Sequence, residues 1–425
     1  MTKTIIYLDR LIKEESWEQI THLDPDDVTS VLEFENSVRL AFVLIQGEDN
    51  PNLYRTFAVR LLYSLKENYS EWKKSWKNEA MLADICEWAM RYHESYYAGQ
   101  RALAIESPIS HALALQIGSA CEGPSPLMTD PACIKLLEYA ITDKPYRGAL
   151  FRLEEIYESM SDSKARLDQI KSLIDETKNF QIDDRRWLYT YPECAFSPFD
   201  FRQPFSRYEV VVERVTKDEI VADCIDANWK RLVSVDPHNI AKSLSFPNGL
   251  RIAFRMVEGD ERCQRYAVRL LYAIIAEHYN NWFEDWRHTV LLGICCEVAG
   301  KYDEQFGAYD NASYNARVVN DGRPINDLSA VPAGLTIALA RCALLPDPSV
   351  TFEQAIGWLE GVMKQEIYID ALELLLRIYH TIDQTSTASE VEHRLQKARS
   401  HGVYSELPLP PCINEEFDEP LIRSE

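Results

Sequence analysis

The chain has 425 residues, of which 46% are hydrophobic and 26% charged, enough apolar material for two domains of ordinary size. Acidic side chains number 67 against 45 basic ones, a formal net charge of −22. A field of that sign repels phosphate backbones and anionic lipid, which sets aside nucleic acid and membrane surfaces as partners; no apolar run of about 18 residues is present to span a bilayer.

Taken in order, the chain opens on Met1-Thr2-Lys3-Thr4, and Asp9 arrives too early for a secretory leader. Ten cysteines without a CxxC pair read as buried thiols of a reducing compartment, and the cytoplasm is the expected location. Leu8, Leu11, Ile12 and Trp17, spaced by charges, predict a first helix. Asp24-Pro25 then opens a second, with proline at its first position. Apolar positions at Phe57, Leu61, Leu62, Leu65, Tyr69, Trp72 and Trp76 recur every three or four residues and predict one helix over 53–76. Another is predicted over 79–97, and further helices over 110–120, 130–142, 145–161 and 163–177.

Much of this is then written a second time. Ala58-Val59-Arg60-Leu61-Leu62-Tyr63 returns as Ala267-Val268-Arg269-Leu270-Leu271-Tyr272. Tyr69, Trp72 and Trp76 return as Tyr279, Trp282 and Trp286; Trp17 with Asp24-Pro25 returns as Trp229 with Asp236-Pro237. Cys86-Glu87 and Tyr92 return as Cys296-Glu297 and Tyr302. The expected architecture is all-α, a tandem duplication of one helical module built as an array of helix pairs. Residues 1–178 form the first unit and 213–400 the second. Between them, 179–212 are rich in aromatic residues and proline, unlike a flexible linker, and are expected to lie against both units. Within 208–215 the pattern permits either a strand or the start of a helix. Residues 401–425 form an acidic, proline-rich tail that is expected to be extended or disordered unless Leu407, Leu409 and Phe417 anchor it.

The repeat also acts as an internal control on chemistry. His93 falls opposite Asp303, His278 opposite Asn68 and His288 opposite Asn78, so no histidine is shared. A duplicated acid–base or metal site built on histidine is therefore not predicted. HExxH, GxGxxG, GxSxG and the phosphate-binding loop are all missing, and no catalytic, cofactor or metal residue is assigned. Arg39/Arg251, Arg60/Arg269 and Glu87/Glu297 recur inside apolar helices, which predicts a buried Arg–Glu pair in each unit. The paired tryptophans, at i and i+4, are read as core.

The units differ most after Phe306, where the second is about 14 residues longer than the first. That stretch, 307–332, reads as a polar loop, and Tyr309, Asp310, Tyr314 and Arg317 are its candidate partner-binding residues.

In charge, helicity and freedom from catalytic signatures the chain resembles the helical immunity proteins of bacterial interbacterial toxin systems. The resemblance lies in general character, with no diagnostic motif. It implies a non-enzymatic protein that binds a cognate, basic toxin domain, steered by acidic side chains and held by aromatic anchors. Two alternatives stay open. One is an enzyme of unrecognised class with a single site between the units, for which Glu277, His278, Asp285, His288 and Asp303 are the first candidates. The other is a helical scaffold or effector.

Overall fold

The computed structural model describes residues 2–32, 34–45, 47, 51–70, 72, 75–89, 91–105, 111–119, 130–142, 147–160, 163–177, 209–214, 217–226, 228–320, 331–346, 348, 350–364 and 366–414. Among them the fold is all-α apart from one antiparallel ribbon. In it β1 (Thr2–Tyr7) pairs with β2 (Glu209–Arg214), in a register running from Thr2↔Arg214 to Tyr7↔Glu209. The β-branched run Val210-Val211-Val212 accounts for strand rather than helix at the position the pattern left open. Two compact units result, one of Leu8–Tyr208 and one of Met1–Tyr7 with Glu209–Glu425. Through the ribbon, the N-terminal strand groups with the second unit rather than with the first.

The first unit runs α1 (Leu8–Lys13), α2 (Trp17–Thr21), α3 (Pro25–Val31), α4 (Phe34–Ile45), α5 (Pro51–Asn68), α6 (Trp76–Trp88), α7 (Tyr92–Ile105), α8 (His111–Ser119), α9 (Asp130–Ile141), α10 (Arg147–Ser159) and α11 (Lys164–Glu176). The second runs α12 (Lys217–Ile225), α13 (Trp229–Leu232), α14 (Pro237–Ser243), α15 (Phe246–Met256), α16 (Glu261–Glu277), α17 (Tyr279–Phe283), α18 (Arg287–Val298), α19 (Tyr302–Asn320), α20 (Ala333–Arg341), α21 (Phe352–Val362), α22 (Ile369–Thr381) and α23 (Thr385–Ala398). The repeated hexapeptide falls on α5 and on α16, and in both copies it is buried apart from Arg269. Asp24 and Asp236 cap α3 and α14 in the same way. Each carboxylate accepts from the backbone two residues on, at 3.1 and 3.0 Å, with proline at the first position.

Two predicted helices are each broken in two. The stripe over 53–76 ends as helix at Asn68; Trp72 sits in the turn beyond it, and Trp76 opens α6. The stripe over 79–97 breaks between α6 and α7. There the Arg91 amide reaches back to the Cys86 carbonyl at 2.8 Å, and Lys301 does the same to Cys296 at 2.8 Å. Gly300, at φ +71, supplies the left-handed residue that this second stop requires. Apolar spacing persists through such turns because both flanking helices face the same core, so periodicity alone cannot mark them.

Each unit has its own core. Leu137, Leu150, Leu153 and Ile170 are fully buried in one; Leu250, Leu270, Leu271 and Leu291 are fully buried in the other. Each such side chain contributes about 1.5–3 kcal/mol by leaving water. The tail is not free as far as it is described. Leu409 and Ile413 pack on the second core, and the buried Arg251 donates to the Cys412 carbonyl at 2.6 Å. Phe417 and most of 179–212 lie outside the described residues. No described helix is long and apolar enough to cross a membrane.

Candidate functional site

The stretch beginning at residue 307 is helix as far as Asn320, which corrects the expectation of a loop; residues 321–330 lie outside the described region. The signal is present in the sequence. Ala308, Ala312 and Ala316 recur every fourth residue and are all buried, a stripe disguised by the asparagines, aspartate and serine between them. Of the four candidate contact residues, Tyr309 is fully buried, Asp310 is buried and Tyr314 is half-buried. Arg317 lies on α19, with its side chain outside the described set.

Tyr309 is held from two sides. Its ring lies against Gly293 of α18, where an added Cβ would come within 2.5 Å of the ring. Its hydroxyl donates to Glu297 Oε2 at 2.8 Å, and Arg341 donates to the same oxygen at 2.9 Å. Burial pushes the Tyr309 hydroxyl far above its ordinary value, with the neighbouring Glu297 carboxylate adding to the rise. The buried Arg–Glu pair expected in the second unit is not what forms at Glu297: its partner there is a different arginine, and both side chains are partly exposed. Glu297 takes Arg341, while Arg251 bonds Asn248 at 2.7 Å and the Cys412 carbonyl. Arg269 lies over the Tyr266 ring, 5.6 Å from its centre.

Two of the residues singled out for chemistry, His278 and His288, come together around Phe246 at the start of α15. The His278 ring lies 5.6 Å from that of Phe246 and the His288 ring 4.9 Å. Glu277, the chain neighbour of His278, pairs with His238 Nδ1 at 3.2 Å and Lys242 at 3.4 Å. Burial, the largest single influence, pushes the Glu277 carboxyl up, and the His238 hydrogen bond with the Lys242 charge outweighs it and holds the carboxyl below its usual range. His238 and Lys242 have no local signal in the sequence, because the partner lies 39 residues from His238. Asp285, next to the cluster, is bound on both oxygens by Arg287. Asp303 sits in the first turn of α19.

What each histidine does follows from its partner. His288 is buried, and its Nδ1 donates to the Trp282 carbonyl at 3.0 Å. A carbonyl only accepts, so Nδ1 carries the proton in the neutral ring. Burial holds the ring below its ordinary titration range. His278 Nε2 donates likewise to the Ala241 carbonyl at 3.2 Å. At the repeat-equivalent place in the first unit, Asn78 Nδ2 donates to the Trp72 carbonyl at 2.8 Å. Asparagine and histidine therefore perform one task, satisfying the backbone of the turn that carries the buried tryptophan.

The first unit gathers its own buried charge. Glu79 accepts from Trp72 Nε1 at 3.0 Å and from Arg101 Nε at 3.0 Å, with Lys66 at 3.7 Å. Tyr63 donates to Glu94, which Arg91 also binds. Every described cysteine except Cys412 is a buried free thiol. Burial pushes Cys224 and Cys342 to about 12, so neither is a thiolate nucleophile at neutral pH. Among the described residues, no group of three or more His, Cys, Asp or Glu side chains is placed to hold a metal ion. Comparison with protein-family models and with curated proteins finds no match for this chain.

Proposed function

We propose that this chain is a non-enzymatic protein-binding protein of the immunity type, which occludes a cognate, basic toxin domain. The observation that carries the reading is the charge: 67 acidic side chains against 45 basic on a helical framework. Such a surface accelerates encounter with a basic protein and disfavours acidic competitors. Supporting it, the side chains best suited to chemistry are engaged in the fold. His288 and His278 satisfy backbone carbonyls, Glu297 joins Tyr309 to Arg341, and Glu79 joins three donors. In this reading the two helical units are copies of one module, and their matching caps at Asp24 and Asp236 are inherited from it.

The test is capture of a partner from native lysate, followed by the effect of this chain on that partner. A basic protein should be recovered, its activity should be blocked at equimolar ratio, and association should slow markedly between low and high salt. A partner that is acidic, or whose activity is untouched, would sink the reading; an on-rate indifferent to salt would remove electrostatic steering from it.

An enzymatic reading draws on one observation, the packing of His278 and His288 on Phe246, with the His238–Glu277 pair joined to His278 through the chain. It requires a titrating histidine at position 288, and replacement by asparagine would abolish turnover. The binding reading expects that replacement to be silent.

A further inference from the structure

We propose that Tyr279 and Phe283, on α17, form the docking surface for an arginine-bearing segment of a basic protein partner. This rests on the protein-binding reading above and names its surface. The two rings pack on each other, 4.7 Å between centres at an interplanar angle of 53°, yet Tyr279 is 44% exposed and Phe283 58%. Two large aromatic rings turned to solvent side by side form an apolar patch of the kind that marks interaction sites.

The first unit shows that the fold does not require this exposure. Tyr69, the counterpart of Tyr279, packs edge-on against Phe34 at 5.3 Å, and its hydroxyl donates to the Leu32 carbonyl at 3.4 Å. In the second unit the corresponding phenylalanine, Phe246, is covered by His278 and His288 instead. Tyr279 is left to face outward. Beside it, Phe283 stands where the sequence of the first unit has Lys73. The second unit thus replaces a cation by an exposed ring and turns a packed tyrosine out to meet it.

Charge selects the occupant. Glu277, Glu284 and Asp285 flank the pair in sequence; Glu277 is bound by His238 and Lys242 and Asp285 by Arg287, while Glu284, next to Phe283, is exposed. A guanidinium is attracted to the face of an aromatic ring and pairs with a nearby carboxylate at the same time. A cationic side chain on a basic segment therefore matches both features of the patch. An acidic segment would be repelled by Glu284 and by the net charge of −22 on the chain as a whole.

The experiment compares the full-length chain with Tyr279→Ser/Phe283→Ser, which leaves every charge in place. Val403→Ser/Tyr404→Ser, at exposed residues elsewhere on the second unit, serves as control. The probe is a decapeptide alternating arginine and serine, with its glutamate counterpart, titrated calorimetrically at low salt. The arginine peptide should bind wild type and the control equally and bind the Tyr279/Phe283 variant at least tenfold more weakly, with melting curves superimposable throughout. The glutamate peptide should not bind. Equal affinity across all three proteins, or no binding of the arginine peptide to wild type, would overturn the assignment. The two proposals fail separately. A variant that still captures and blocks the same partner as wild type removes this surface and leaves the binding reading standing, whereas failure of wild type to block any basic partner removes the reading itself.

Discussion

The two units solve one packing problem in opposite ways. Where the second has Gly293 on α18 and Tyr309 on α19, the first has Ala83 on α6 and Gly99 on α7. In the second, the glycine lies beneath the ring. In the first, the glycine lies on the other helix, and a Cβ added at Gly99 would come within 2.9 Å of Ile117. The second unit fills the space from α19 with a large aromatic residue whose hydroxyl is tied to Glu297 and Arg341. The first places its buried charge elsewhere, on Glu79, Lys66 and Arg101, where the second has Thr289, Ile275 and Asn311. Similar helices thus tolerate exchanges of size and charge only when a neighbouring position changes with them, because interiors are packed to crystal density.

That comparison can be broken most forcefully at its bulkiest point. Tyr309→Ala should cost about 3–5 kcal/mol in chemical denaturation, as the loss of a buried aromatic ring does. A loss below about 1 kcal/mol would show that the ring is not core. Gly293→Ala should cost about 1–3 kcal/mol by overpacking against the same ring, and much less in a Tyr309→Ala background, since the space it needs is then empty. Additive losses in the double variant would contradict the proposed contact.

In the first unit, Glu79→Ala removes the buried carboxylate that Trp72, Arg101 and Lys66 share and should cost about 3–5 kcal/mol. A melting temperature unchanged by this substitution would mean that the cluster is solvated rather than buried.

The asparagine–histidine exchange gives a sharper and smaller test. His288→Ala leaves the Trp282 carbonyl unsatisfied and should cost about 1–3 kcal/mol. His288→Asn, the residue of the first unit, should restore most of that loss, and equal losses for both variants would end the claim of equivalence. The pH dependence follows in sign. A histidine held below its ordinary value in the folded state binds a proton less readily there than in the unfolded chain. Its contribution is intact above about pH 6.5 and is lost as pH falls from there through the depressed folded value. The stability of wild type relative to His288→Asn should therefore decline on acidification across that window, and parallel curves would remove burial of the ring as the cause.

Parts of this picture are legible in short windows of the chain. The caps at Asp24 and Asp236 are short-range features, spelled by a carboxylate followed by proline. Helical character along most of the chain follows from spacing of three and four. The breaks after Asn68 and Trp88 are hidden, because the apolar stripe runs on through the turn into the next helix. Polar residues between Ala308 and Ala316 conceal a helix whose buried stripe is built from alanine. That same polarity predicts an exposed Tyr309, and the fold reverses it by turning the ring onto Gly293.

The amino-acid order alone determined that helices dominate, that one stretch is written twice and that the surface is acidic, since each is a property of local spacing or of composition. Only the tertiary structure decided that Glu297 meets Arg341, that His288 stands in for an asparagine and that Tyr309 points inward while Tyr279 points out. Those outcomes turn on which side chains reach the same buried space and the same carbonyls once the helices pack. The Glu297–Arg341 pair spans 44 residues, and even His288, 6 residues from Trp282, is placed by the turn between α17 and α18.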